Sequence, residues 1–188
     1  LKGADGVDGR LRQRAEAAGI DPDRLVFAPS VDNAAHLARY ALADLFLDTA
    51  PYGAHTTASD ALWMGVPVLT LPGRSFASRV CGSLVSAAGV PELVCGTADE
   101  YVSRAVALGR DPAALTAYRE KLLVLRHRST LFDTQSFVRG MESLFDRMWA
   151  ERMAGNLPRP DLCGLDTYLE IGAALERDEA ASADWAVL

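Results

Sequence analysis

The sequence predicts an α/β fold with a doubly wound parallel sheet, and three observations carry that prediction. Short, near-continuously apolar runs alternate with amphipathic stretches of helical length. Gly or Pro punctuates the joints. The apolar runs lack polar/apolar alternation, as expected of parallel strands covered on both faces. The 188 residues, 49% hydrophobic and 23% charged, suffice for about one globular domain with a real core. A net charge of −6 and a pI near 5.0 argue against a nucleic-acid module. No apolar run reaches the ~18 residues a membrane helix needs. Cys81, Cys95 and Cys163 are widely spaced and odd in number, so neither a disulfide framework nor a CxxC metal site is expected, and a reducing compartment is.

Taken in order, Leu11 to Ala18 reads as a helix stopped by Gly19, and Leu25-Val26-Phe27-Ala28 as a short buried strand. Asn33 to Leu42 is helical, with apolar residues recurring at three and four. Leu45-Phe46-Leu47 is a second buried strand, ended by Asp48. His55 to Met64 is a helix that Gly65 ends, and Val66 to Leu71 a strand with Pro67 near its start. Ala77 to Ala88 is a helix, Leu93-Val94 a short strand, and Thr97 opens a helix to about Leu108. In such an order, ligands are expected beyond the carboxyl ends of the strands.

From Asp111 the alternation stops. Asp111-Pro112 places a capping Asp before a first-turn Pro, starting a helix to about Arg126. Asp133 and Thr134 open a long last helix with Phe137, Met141, Leu144, Phe145 and Met148 on one face. The expected organisation is one lobe over 1–156, including these helices, and a tail over 157–188 that wraps the surface or is partly disordered. The chain opens Leu1-Lys2-Gly3 without Met, as if inside an element, with Leu1 the last residue of a strand; it is expected to be a piece of something longer.

The densest chemical signal runs from Leu47 to Asp60: a strand end at Asp48, a Pro/Gly loop, and a helix start bearing His55, Thr56 and Thr57. A helix start offers unpaired N–H groups and a partial positive charge, which suit a phosphate. Asp60 lies one turn deeper on the same face, where a carboxylate can accept from two ribose hydroxyls. The competing reading makes Thr56 a cap and Asp60 a first-turn acid favoured by the dipole. A second signal is Val31-Asp32-Asn33-Ala34-Ala35-His36-Leu37-Ala38-Arg39, where His36 and Arg39 share a face. His36 can stack on a base or donate to a phosphate, or be an ordinary surface or core histidine; Arg39 alone reads as a solvated charge. Arg74 and Arg79 flank the Pro72-Gly73 turn, facing an anion or pairing with an acid. Trp63 reads as core, and Cys81 as a small buried hydrophobe. Metal-ligand spacing, a Ser-His-Asp set, a Walker loop and GxGxxG are all absent from the sequence.

Together, Asp48-Thr49, Gly53-Ala54-His55-Thr56-Thr57, Asp60, Leu62-Trp63, Gly65-Val66-Pro67-Val68 and the block Leu71-Pro72-Gly73 with Ala77-Ser78-Arg79-Val80 resemble the carboxyl-terminal catalytic lobe of the O-linked N-acetylglucosamine transferases, the family that includes the SPINDLY proteins. The likeness covers roughly 24–156. It implies the carboxyl-terminal, Rossmann-like lobe of a two-lobed GT-B glycosyltransferase that binds UDP-N-acetylglucosamine. It further implies that His36 flanks the uracil, that the backbone around Val31 contacts the base edge, and that Arg39 lies near the nucleotide. His55, Thr56 and Thr57 would hold the diphosphate and Asp60 the ribose. The implied chemistry is inverting, needs no metal or other cofactor, and has the Ser or Thr hydroxyl of an acceptor protein as attacking group.

The family often carries Lys where this chain has Asn33, which still donates to a ribose hydroxyl but brings no charge. The catalytic His and the Lys set against the β-phosphate belong, in the family, to segments before this one. The implied partners are therefore an amino-terminal lobe and a helical TPR array of a cytoplasmic parent, with no nucleic acid or membrane. Alternatives are a related enzyme using GDP-fucose or a UDP-hexose, and a non-catalytic nucleotide-binding adaptor.

Overall fold

A computed structural model describes residues 6–156, which divide into two compact units between Ala43 and Asp44. The tail over 157–188 and the strand end expected at Leu1 lie outside the described residues.

In the first unit, α1 spans Val7–Ala17 and α2 spans Asn33–Arg39, continued by a 3-10 turn over Tyr40–Leu42. Gly19, with φ +73°, follows α1 as expected. Asp32 caps α2 by accepting from the Ala35 N–H at 2.9 Å. The strand expected over Leu25–Ala28 does not form: the segment is extended but unladdered, and Val26 is 86% exposed. The Arg12 guanidinium takes up this stretch instead. It donates to the carbonyls of Pro22 and Leu25 at 2.6 and 3.0 Å and lies 5.3 Å from the centre of the Phe27 ring. A carbonyl that a strand would give to a neighbouring N–H is given to a side chain.

The second unit carries the sheet. β1 (Phe46–Leu47) pairs in parallel with β2 (Val68–Leu69), Phe46 opposite Val68 and Leu47 opposite Leu69. A single parallel bridge, Thr70 to Val94, extends the order by one position. The third strand expected here, at Leu93-Val94, is reduced to that bridge because Pro91 opens a 3-10 turn over Pro91–Leu93. That turn already uses the Leu93 and Val94 N–H groups, which donate to Val90 and Pro91. β1 is also less buried than its apolar run suggests: Leu47 is 52% exposed.

Around the strands pack α3 (Thr56–Trp63), α4 (Phe76–Ala87), α5 (Ala98–Gly109) and α6 (Pro112–Leu125), with α3 touching α4, α6 and β2. Leu62, Val68, Leu69, Val85 and Leu122 are buried among them, as is Cys81. Gly65 ends α3 at φ +82°, and a Cβ there would come within 3.0 Å of Leu123 on α6. Both conformation and space therefore demand glycine. Trp63 meets Phe132 edge-on at 5.0 Å, with the Arg126 guanidinium 5.0 Å from its ring centre.

The last helix, α7 (Thr134–Met153), is capped by Asp133 as the sequence predicts. It buries no residue among those described: Phe137, Phe145, Met148 and Trp149 are all more than half exposed. Among the described residues, no helix is long and apolar enough to cross a membrane.

Candidate functional site

At the carboxyl end of β1 the chain enters the loop that leads to α3. The loop is held from beneath by Asp48, only 8% exposed. Its Oδ1 accepts from the N–H of Thr49 at 2.9 Å and of Ala54 at 2.7 Å. Its Oδ2 accepts from the Thr70 hydroxyl at 2.7 Å, and its carbonyl from the Tyr101 hydroxyl at 2.8 Å. The Thr49 hydroxyl donates to the Tyr52 carbonyl at 2.9 Å, and the Gly53 N–H to the Ala77 carbonyl at 3.1 Å. Gly53 comes down so closely that a Cβ there would sit 3.2 Å from Asp48 Oδ2 and 3.6 Å from Cys81 Cβ. Burial, then the hydrogen bond with Asp48, pushes the Cys81 thiol up to about 12. The Tyr101 phenol is also raised, first by burial and then by the negative charge of Asp48.

This scaffold delivers His55 at the N-cap of α3. Its Nε2 lies 3.2 Å from the Ala77 carbonyl; since a carbonyl only accepts, Nε2 carries the proton. The ring stacks on Tyr52 at 5.1 Å and meets Phe76 edge-on at 6.0 Å. No side-chain oxygen caps α3. By contrast α2, α4, α5, α6 and α7 are each capped by an Asp, Ser or Thr side chain. The N-cap residue of α3 thus supplies no side-chain oxygen to the positive end of its helix. A cavity of 280 Å³ opens here, lined by Asp48, Thr49, Tyr52, His55 and Thr57 among others. Thr56 is exposed and Thr57 and Asp60 half-buried; Asp60 sits one turn into α3 on the face that Thr56 and Thr57 begin.

A larger cavity, of 450 Å³, lies where the chain enters β1, between Asp44 and Leu45 and residues such as Leu115 and Arg119 of α6. It contains none of the sequence-predicted residues and sits at the wrong end of the strand for an α/β ligand site.

The remaining sequence-predicted residues belong to the first unit. Val31 is 42% exposed just before the Asp32 cap, and Asn33 is the first residue of α2. His36 packs edge-on against Tyr40 at 5.4 Å. Arg39 is not simply solvated: its guanidinium donates to the Pro29 carbonyl at 2.9 Å and so ties down the segment before Val31. Arg74 and Arg79 are exposed on either side of the start of α4. Sequence reasoning passed over Asp48, Thr70 and Tyr101 as site-building residues. For Asp48 the available signal was an acid at a strand end before a Pro/Gly loop. For Tyr101, distant in sequence, no local signal existed.

The glycosyl transferase family 41 model matches residues 4–141. The chain belongs to glycosyl transferase family 41. It is 43% identical over 145 residues to a UDP-N-acetylglucosamine–peptide N-acetylglucosaminyltransferase of Caenorhabditis elegans, a match covering 77% of this chain and 13% of that protein. It is 37% identical over 155 residues to the SPINDLY protein of Hordeum vulgare, named a probable enzyme of the same activity, covering 82% of this chain and 16% of the relative. Among solved structures, a mutant of the Thermobaculum terrenum O-GlcNAc transferase superposes with a TM-score of 0.72 at 38% identity, covering 78% of this chain and 28% of that one. The α/β glycosyltransferase lobe read from the sequence is therefore the fold of this family-41 chain, which spans only a small part of its relatives.

Proposed function

We propose that this chain is the donor-binding half of an inverting protein O-glycosyltransferase that moves N-acetylglucosamine from UDP-N-acetylglucosamine to Ser or Thr of proteins. The observation that carries this reading is the start of α3 in a family-41 chain. It has no side-chain cap, opens onto a cavity at the carboxyl edge of β1, and presents His55, Thr56 and Thr57 with Asp60 one turn in.

In this reading the first-turn N–H groups and the hydroxyls of Thr56 and Thr57 receive the diphosphate, with His55 held beside it by Ala77 and Tyr52. Asp60 accepts from the ribose hydroxyls. Val31, Asn33 and His36 serve the base and the ribose, and Arg39 keeps the segment before Val31 in place. As the sugar leaves, charge develops on the diphosphate, and prearranged N–H donors stabilise it without a metal. The group that activates the acceptor hydroxyl, the second lobe and the repeat array come from outside this chain, in a parent that works in the cytoplasm.

Calorimetry of UDP binding to the full-length protein tests the reading. Wild type binds, and His55→Ala and Asp60→Ala each lose binding; unchanged affinity in both variants sinks the site. A second reading rests on Asn33, an uncharged residue at the first position of α2: a donor other than UDP-N-acetylglucosamine. Comparing hydrolysis of UDP- and GDP-sugars separates the two.

A further inference from the structure

We propose that Asp48 is the positioning residue of the donor loop, and that it acts by accepting hydrogen bonds rather than by its charge. The inference rests on the donor-site reading above and extends it to the side chains that hold the loop in place.

A carboxylate at the carboxyl end of a strand, next to a ligand cavity, would ordinarily be taken for a ligand contact. Here its oxygens are already occupied. Oδ1 holds the N–H groups of Thr49 and Ala54, the two ends of the loop, so one atom closes the loop on itself. Oδ2 is tied to Thr70, one residue beyond β2. The Asp48 carbonyl is tied to Tyr101 on α5. Of the roughly four lone-pair positions a carboxylate offers, three are filled by Thr49, Ala54 and Thr70, and the Cys81 thiol hydrogen-bonds to the same carboxylate. The backbone at Gly53 leaves only 3.2 Å between a would-be Cβ and Oδ2, so the loop is pressed onto the carboxylate. Ala54 immediately precedes His55, so the inward N–H of Ala54 fixes the peptide from which α3 starts. β1, the chain after β2, and α5 thereby share one reference point, and the geometry of the α3 start follows from it.

Acceptance and charge separate cleanly in Asp48→Asn. The amide oxygen still receives both loop N–H groups, and the amide nitrogen donates to Thr70, whose hydroxyl can turn to accept. UDP affinity is measured by calorimetry on the full-length protein, with thermal unfolding of each variant as a folding control. Asp48→Asn stays within about 3-fold of wild type, whereas Asp48→Ala weakens binding about 100-fold, the scale expected when a binding group is misplaced by about 1 Å. Tyr101→Phe and Thr70→Val each weaken it severalfold. Exchange of the Ala54 amide proton with solvent stays slow in Asp48→Asn and speeds up in Asp48→Ala.

Wild-type affinity in folded Asp48→Ala overturns the proposal, and so does an Asp48→Asn as weak as Asp48→Ala, which would assign the role to charge. Should Asp48→Ala fail to fold, unchanged affinity in both Tyr101→Phe and Thr70→Val overturns it instead. A wild-type protein that binds no UDP fails the donor-site reading itself, and this inference with it.

Discussion

Two segments singled out by the sequence, one in each unit, are built in opposite ways. In the first unit, the stretch from Val31 to Arg39 is ordinary surface structure. Asp32 caps α2, Arg39 bonds to the Pro29 carbonyl, and no residue of the helix is buried. In the second unit, the stretch from Asp48 to Asp60 rests on a buried carboxylate, a fully buried threonine and an uncapped helix that buries Ala58, Ala61 and Leu62. A self-capped helix has already met the needs of its first turn. A helix whose N-cap residue gives it no side-chain oxygen offers its start to other partners. If the donor-site proposal holds, the contrast predicts that binding depends more on the second segment than on the first.

The largest expected effect is on stability. Leu62→Ala, 1% exposed at the inner face of α3, costs about 2–5 kcal/mol, whereas Val26→Ala in the first unit stays within about 0.5 kcal/mol. Chemical denaturation measures both, and equal costs would break the contrast between a packed base and a surface segment. Next comes the thiol beneath the loop. With its folded value near 12 against an ordinary 9.0, Cys81 favours the protonated state in the fold. Its stabilising contribution is complete below about pH 9 and declines as pH rises from there toward 12. A thiol reagent at pH 8 should therefore modify Cys81 only as the protein unfolds; rapid labelling of the native protein would refute this.

The smallest effects sharpen the comparison most. Asp32→Ala removes a cap and costs about 1 kcal/mol, yet leaves UDP affinity within a few-fold. His55→Ala removes no cap hydrogen bond, so it loses UDP binding with a smaller drop in unfolding temperature than any core variant. If Asp32→Ala lost binding and His55→Ala kept it, the division of labour would be reversed.

Much of this was legible in sequence because its causes are local. Asp111-Pro112 and Asp133 announce α6 and α7 through capping chemistry, and Gly65 ends α3 where only glycine is comfortable. The order of strand, loop and helix around residues 47–60 was readable for the same reason. What failed was non-local. Leu25-Val26-Phe27-Ala28 has the composition of a strand, but Arg12 captures its carbonyl. Leu93-Val94 has it too, but the turn begun by Pro91 has already used its N–H groups. Asp48 reads the same in sequence whether it points at a ligand or folds back on its own loop. Its other anchors, Thr70 and Tyr101, lie 22 and 53 residues away.

A loop whose two ends meet at one oxygen atom has a practical consequence for engineering. The closure depends on the length between Thr49 and Ala54 rather than on the side chain of the exposed Ala50. Ala50 can therefore be varied at fixed loop length beside the cavity. Insertions and deletions at the same place would open the ring and forfeit the scaffold.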